Sequence, residues 1–165
     1  MTRGQGFALL PRGEGRSMWV VTDLLTFKAA GEDTGGACSI FELTVPPQGG
    51  PPPHVHHRED EAFFVLEGEF AFQAGDRTVG ATAGSFVYAP KGIRHTYKNI
   101  GLAPGRMLMV ATPAGIEKFF EEVGQPTMDP SLASAPTGPP DIQQLLEIAR
   151  RHQIEIEVPS GGPEA

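Results

Sequence analysis

Cysteine is almost missing from this chain: Cys38 is the only one among 165 residues. It cannot close an internal disulfide, which fits a reducing compartment such as the cytoplasm. Basic residues are in deficit, 13 Lys and Arg against 20 Asp and Glu, for a net charge of −7. That deficit argues against nucleic acid as a partner, because tracking phosphates needs a basic face. It argues equally against attraction to an anionic membrane surface. No apolar run approaches the ~20 residues needed to span a bilayer. The short apolar stretch at residues 7–10 is no signal-peptide core. There is no internal repeat, so the length predicts one copy of one small domain.

What the chain does have is turn formers. Its 21 Gly and 16 Pro sum to 37 residues, roughly twice the usual share. Apolar residues make up 39%, enough for a single core. Short β-rich runs recur between turn signals: residues 19–27, 37–45, 61–66, 69–74, 77–82, 85–89, 94–99 and 106–112. This spacing predicts an all-β fold, a small antiparallel barrel or sandwich. Residues 46–53 hold five prolines and form a stiff rim loop, since proline lacks the ladder N–H. Glu67-Gly68 reads as a hairpin turn that sets Val65 opposite Phe70 and Phe63 opposite Phe72.

Beyond Thr112 the period changes. Thr112 as N-cap and Pro113 as first helical residue would open a helix with Ile116, Phe119, Phe120 and Val123 on one face and Gly124 at its end. A Pro-rich arm follows over 124–140. Asp141 then caps a second helix presenting Ile142, Leu145, Leu146 and Ala149, and a short strand begins at Ile154. The predicted organisation is an irregular lead-in over 1–18, a β-barrel over 19–112, and helices, arm and strand over 113–165.

Four of the five histidines lie at 54, 56, 57 and 95. Alternate residues of an extended segment point the same way, so His54 and His56 share a side and His57 faces outward. A bend over 57–60 brings Glu61 onto their side. Two imidazoles and a carboxylate suit a first-row transition metal, and His95 offers a fourth ligand. Glu61, Phe63, Val65, Phe70 and Phe72 share one face, so the space beside the metal is apolar and suits an aromatic or hydrophobic ligand. His152 at a helix end and Asn99 at a turn read as structural, and Cys38 as a small buried hydrophobe.

The segments HVHHREDEAFFVLEG and GSFVYAPKGIRHTYKN resemble the two cupin motifs. His54, His56, Glu61 and Gly68 match the fixed places of the first; Gly84, Pro90, Gly92, His95 and Asn99 match those of the second. One departure is Gln48, where the family usually has glycine. The resemblance implies a jelly-roll barrel holding one divalent transition metal ion (iron, manganese, nickel or zinc) on His54, His56, Glu61 and His95. It also implies a homodimer and a small-molecule ligand. The activity it suggests first is a dioxygenase of the quercetin 2,3-dioxygenase kind, with Glu61 taking the substrate proton. A non-catalytic binding cupin is the alternative. So is a metal-assisted isomerase, for which Arg77, Arg94 and Arg106 are the cationic candidates.

Overall fold

The computed structural model describes residues 9–131, 135–138 and 140–158. Two antiparallel sheets enclose the core. The larger runs β11 (Gln125–Thr127), β1 (Ser17–Val20), β2 (Asp23–Ala29), β3 (Ser39–Val45), β10 (Gly105–Thr112), β5 (Asp60–Glu67), β8 (Phe86–Ala89). The smaller runs β12 (Ile154–Ile156), β4 (His54–His56), β9 (His95–Asn99), β6 (Glu69–Ala74), β7 (Arg77–Thr82). The arrangement is mostly β, two antiparallel sheets with a few short helices.

Strict alternation builds the inner faces. In β3, Phe41, Leu43 and Val45 are buried; in β10, Met107, Met109 and Ala111 are. Phe41 is fully buried and meets Phe27 and Phe120 edge-on, at centroid distances of 4.9 and 5.2 Å. Phe120 belongs to α2 (Ile116–Val123), so Phe41 ties that helix to the sheet. Truncating it to alanine would cost about 3–5 kcal/mol. A short helical turn, α1 (Gly31–Thr34), occupies the expected turn after β2.

Several local expectations are corrected. Residues 19–27 form two strands: β1 begins at Ser17, inside the expected lead-in, and pairs with β2 across Val21-Thr22. Residues 1–8 of that lead-in lie outside the described residues. Glu67-Gly68 is not a hairpin. β5 pairs with β10 and β8, whereas β6 pairs with β9 and β7, so the chain changes sheets at Gly68. Gly68 has φ 92°, and a Cβ there would sit 2.8 Å from the Gly105 Cα. Only glycine allows that close crossing. Phe63, Val65, Phe70 and Phe72 still share the interior, because the alternation survives the change of partner.

At the C-terminal side, Thr112 is the last residue of β10, paired with Asp60, so it cannot cap a helix. The helix starts at Ile116 instead. The buried Glu117 carboxylate accepts the Gly115 and Gly31 N–H groups at 2.7 and 3.1 Å and the Ser39 hydroxyl at 2.5 Å. The arm opens with β11, an edge strand on β1 where proline is tolerated. In α3 (Ile142–Arg151), capped by Asp141, the buried residues are Leu145, Ile148 and Ala149, and Ile142 is exposed. Cys38 is half-buried. Among the described residues, no helix is long and apolar enough to cross a membrane.

Candidate metal centre

β4 lies between β9 and β12, and its buried–half-buried–buried pattern turns His54 and His56 inward and Val55 away. His95, the first residue of β9, pairs directly with His54. Glu61 comes from the opposite sheet, as the second residue of β5. Three imidazoles from one sheet and a carboxylate from the other therefore meet. One ligand atom from each of the four lies within 4.8 Å of the others, and all four residues are buried.

The loop before β4 is pinned to β9. The Gln48 N–H donates to the Asn99 carbonyl, and the Asn99 N–H to the Gly49 carbonyl. A Cβ at Gly50 (φ 142°) would fall 2.1 Å from the Tyr97 carbonyl oxygen, so that close approach requires glycine. Asn99 is a turn residue, as expected. Its amide donates to the Val45 and Ala103 carbonyls, and its oxygen accepts the Gly101 N–H.

The donor set suits a cation. His54 Nδ1 donates to the Pro52 carbonyl at 2.8 Å, and His95 Nδ1 donates to the Ile93 carbonyl at 3.0 Å. A carbonyl only accepts, so both rings carry hydrogen on Nδ1 and keep Nε2 for the centre. Burial pushes His54 down to about 3, helped by His56 and His95. Burial also lowers His56, against the pull of Glu61. Burial opposes charge on His95, but the hydrogen bond to Glu61 at 2.8 Å outweighs it and raises the group. Burial opposes charge on Glu61 too, yet the surrounding histidines hold it down to about 2. A buried carboxylate that shares a proton with His95, beside His54 and His56 kept neutral by burial, is a ligand set that a divalent transition metal can take up as that proton leaves.

One cavity of about 90 Å³ opens onto this cluster. His54, His56 and Glu61 form its polar patch, and Leu25, Leu43, Phe63, Met109, Phe119 and Leu145 contribute to an apolar wall. Of the four expected pocket residues, Phe63 is in that wall. Val65, Phe70 and Phe72 are buried in the core without lining it. His57 is exposed and faces Glu155 at 3.3 Å, and His152 pairs with Glu122 at the end of α3.

Two wall residues escaped the sequence reading. Asp23 accepts a hydrogen bond from the Tyr97 hydroxyl at 2.7 Å and from Thr22 at 3.0 Å, inside the cavity. Burial pushes Asp23 up to about 6, against those two hydrogen bonds. The signals were present: an acid within an apolar run, and Tyr97 two places beyond His95 on the same face. Glu59, a buried acid in the bend before β5, was also missed, though it does not line the cavity.

Residues 41–111 match the family model described as the cupin domain. A probable germin-like protein of Arabidopsis thaliana (subfamily 2 member 5) is 37% identical over 94 residues, 54% of this chain and 44% of that protein. The chain spans about half or less of the length of the curated relatives it matches. A predicted oxalate decarboxylase from Thermotoga maritima superposes with a TM-score of 0.60 at 18% identity, over 65% of this chain and 99% of its own. The polyketide cyclase RemF from Streptomyces resistomycificus superposes with a TM-score of 0.57 at 22% identity, over 65% and 80%. At such identities the solved structures speak for the fold alone.

Proposed function

We propose that this chain is a metal-dependent dioxygenase acting on a small aromatic or enolisable substrate. The observation that carries the proposal is the opening of a His3Glu cluster into an apolar cavity that no Lys or Arg among the described residues lines. A phosphosugar or a dicarboxylate would call for a cation in the wall. Arg94 is instead bound to Glu157, Arg106 to Glu42 and Glu67, and Arg77 is exposed. The isomerase alternative therefore has the weaker support.

A divalent metal held by His54, His56, Glu61 and His95 would supply Lewis acidity, polarising a substrate oxygen. The chain's own groups do the rest. Glu61 would be the base, loosening its hold on the metal to take the proton of an enol or phenol. The apolar wall excludes water and receives the body of the substrate. The Asp23–Tyr97 pair offers a second polar contact across that wall. A homodimer belongs to the same proposal, supported by Phe64, Phe86 and Tyr88, which lie exposed on the outer face of β5 and β8.

The test is an oxygen electrode with metal-reconstituted protein and a panel of flavonols and β-diketones. Metal-dependent uptake with at least one of them, lost in Glu61→Ala, is the expected result. Binding of these compounds without uptake would overturn the dioxygenase reading in favour of a non-catalytic binding cupin.

A further inference from the structure

The three histidines differ in what holds the nitrogen turned away from the centre. His54 and His95 each have Nδ1 fixed by a backbone carbonyl. His56 has no such carbonyl. Its Nε2 faces Glu61 Oε2 at 3.4 Å, while its Nδ1 is buried without a hydrogen-bond partner. Among the described residues, only one other buried side-chain polar atom is left this way: Oε2 of Glu59. The two lie 3.9 Å apart.

A nitrogen that can donate and a carboxylate oxygen that can only accept are complementary. Their separation exceeds a normal hydrogen bond by about 1 Å, within reach of a small side-chain rotation. Glu59 is 2% exposed and lies on the bend between β4 and β5, so it is not a fifth member of the cluster. Its other oxygen lies 3.7 Å from Arg58 Nε, and Arg58 itself donates to the Ala114 carbonyl at 3.1 Å. Burying a carboxylate with one oxygen unpaired is costly for folding, so packing gives no reason for it.

We infer that Glu59 is a positioning residue for His56, taking the Nδ1 hydrogen so that the Nε2 lone pair is fixed toward the centre. A carboxylate behind a ligating histidine orients the ring and raises its basicity. His56 thereby becomes the strongest donor of the three, since carbonyls back the other two. This inference rests on the reading of the cluster as a metal centre.

The experiment compares cobalt(II) affinity in wild type, Glu59→Gln, Glu59→Leu and His54→Ala, by chelator competition and visible spectrum, with melting of the metal-free proteins alongside. Glu59→Leu should bind cobalt about 10–100-fold more weakly, with a shifted spectrum. Its metal-free melting temperature should be equal to wild type or higher, because a buried charge is gone. Glu59→Gln keeps an acceptor for Nδ1 and should fall between the two. Wild-type affinity and spectrum in Glu59→Leu would overturn the inference while leaving the metal centre intact. Equal loss in both Glu59 variants, accompanied by lowered metal-free melting, would also overturn it by marking a structural role. Cobalt binding that is absent from wild type, or undiminished in His54→Ala, would remove the metal-centre reading and the inference with it.

Discussion

His54 and His95 stand directly opposite each other on β4 and β9, with ring centroids 4.5 Å apart. Two buried imidazoles so close do not both carry a positive charge, and the split is plain: burial holds His54 down to about 3, while Glu61 raises His95. The cluster fits one divalent cation, which would replace the proton shared between His95 and Glu61.

Metal should therefore stabilise the fold. A metal at a hundred times its Kd adds about 2.7 kcal/mol, roughly 5–10 °C in Tm for a chain of this size. Elemental analysis of freshly purified protein should find close to one divalent ion per chain in wild type. His54→Ala and Glu61→Ala should lose it, by more than the ~10–100-fold that a lost outer partner costs. Unchanged metal content in both variants would place the ion elsewhere.

Asp23 makes stability depend on pH in a direction opposite to most acids. Burial raises its folded-state pKa to about 6 from an ordinary 3.8, worth about 3 kcal/mol. Because the folded pKa is the higher one, this contribution is complete below the unfolded value. It is lost as pH rises through about 6. Asp23→Asn keeps an acceptor for Tyr97 and does not ionise. Relative to this variant, wild type should lose about 3 kcal/mol between pH 4 and pH 7.5, measured by urea unfolding at both values. A difference that does not vary with pH would remove Asp23 as a buried acid.

The cluster was legible in part because the His54–His56 spacing is local, and in part because the second motif marked His95. His54 and His56 are two apart on a strand, which fixes their common side, and Glu61 and His95 lie on strands of their own. Alternation also told which side chains point inward, Phe63, Val65, Phe70 and Phe72 among them. It could not tell which strand lies beside which. Period two is the same for every partner, so β5 and β6 looked like a hairpin when each belongs to a different sheet. The crossing depends on contact between Gly68 and Gly105, 37 positions apart in sequence. The cavity wall was illegible for the same reason. It is completed by α2, α3 and β12, with β12 pairing to β4, and that packing brings Phe119 and Leu145 into the wall.

Gln48 is where the chain departs from the cupin motif, and the backbone there keeps a glycine's conformation. Its φ is 64°, in the left-handed region, while its N–H donates to the Asn99 carbonyl. An L side chain in that region costs roughly 1–2 kcal/mol, and the Gln48 side chain is exposed. Gln48→Gly should raise stability by about 1 kcal/mol, with Tm higher by roughly 2–4 °C and metal content unchanged. A lower Tm would mean that the side chain makes a contact worth more than the strain.

The outer face of the larger sheet carries the homodimer prediction. Phe64 pairs with Phe86 across β5 and β8, Tyr88 lies two residues on, and all three are exposed, Phe86 at 66%. β8 is an edge strand, with unpaired backbone groups on its free side. Exposed edges and aromatic clusters are ordinarily covered. A twofold contact would bury each aromatic twice, once per protomer. Burial of one such ring contributes about 1.5–3 kcal/mol, so Phe86→Glu should weaken dimerisation by roughly 100-fold or more. Light scattering should find a dimer in wild type and a monomer in the variant at micromolar concentration. Because Phe86 points away from the cavity, metal content should not change. A monomeric wild type would remove the dimer, whereas loss of metal in the variant would show that this face and the cluster are coupled through β5, which carries both Phe64 and Glu61.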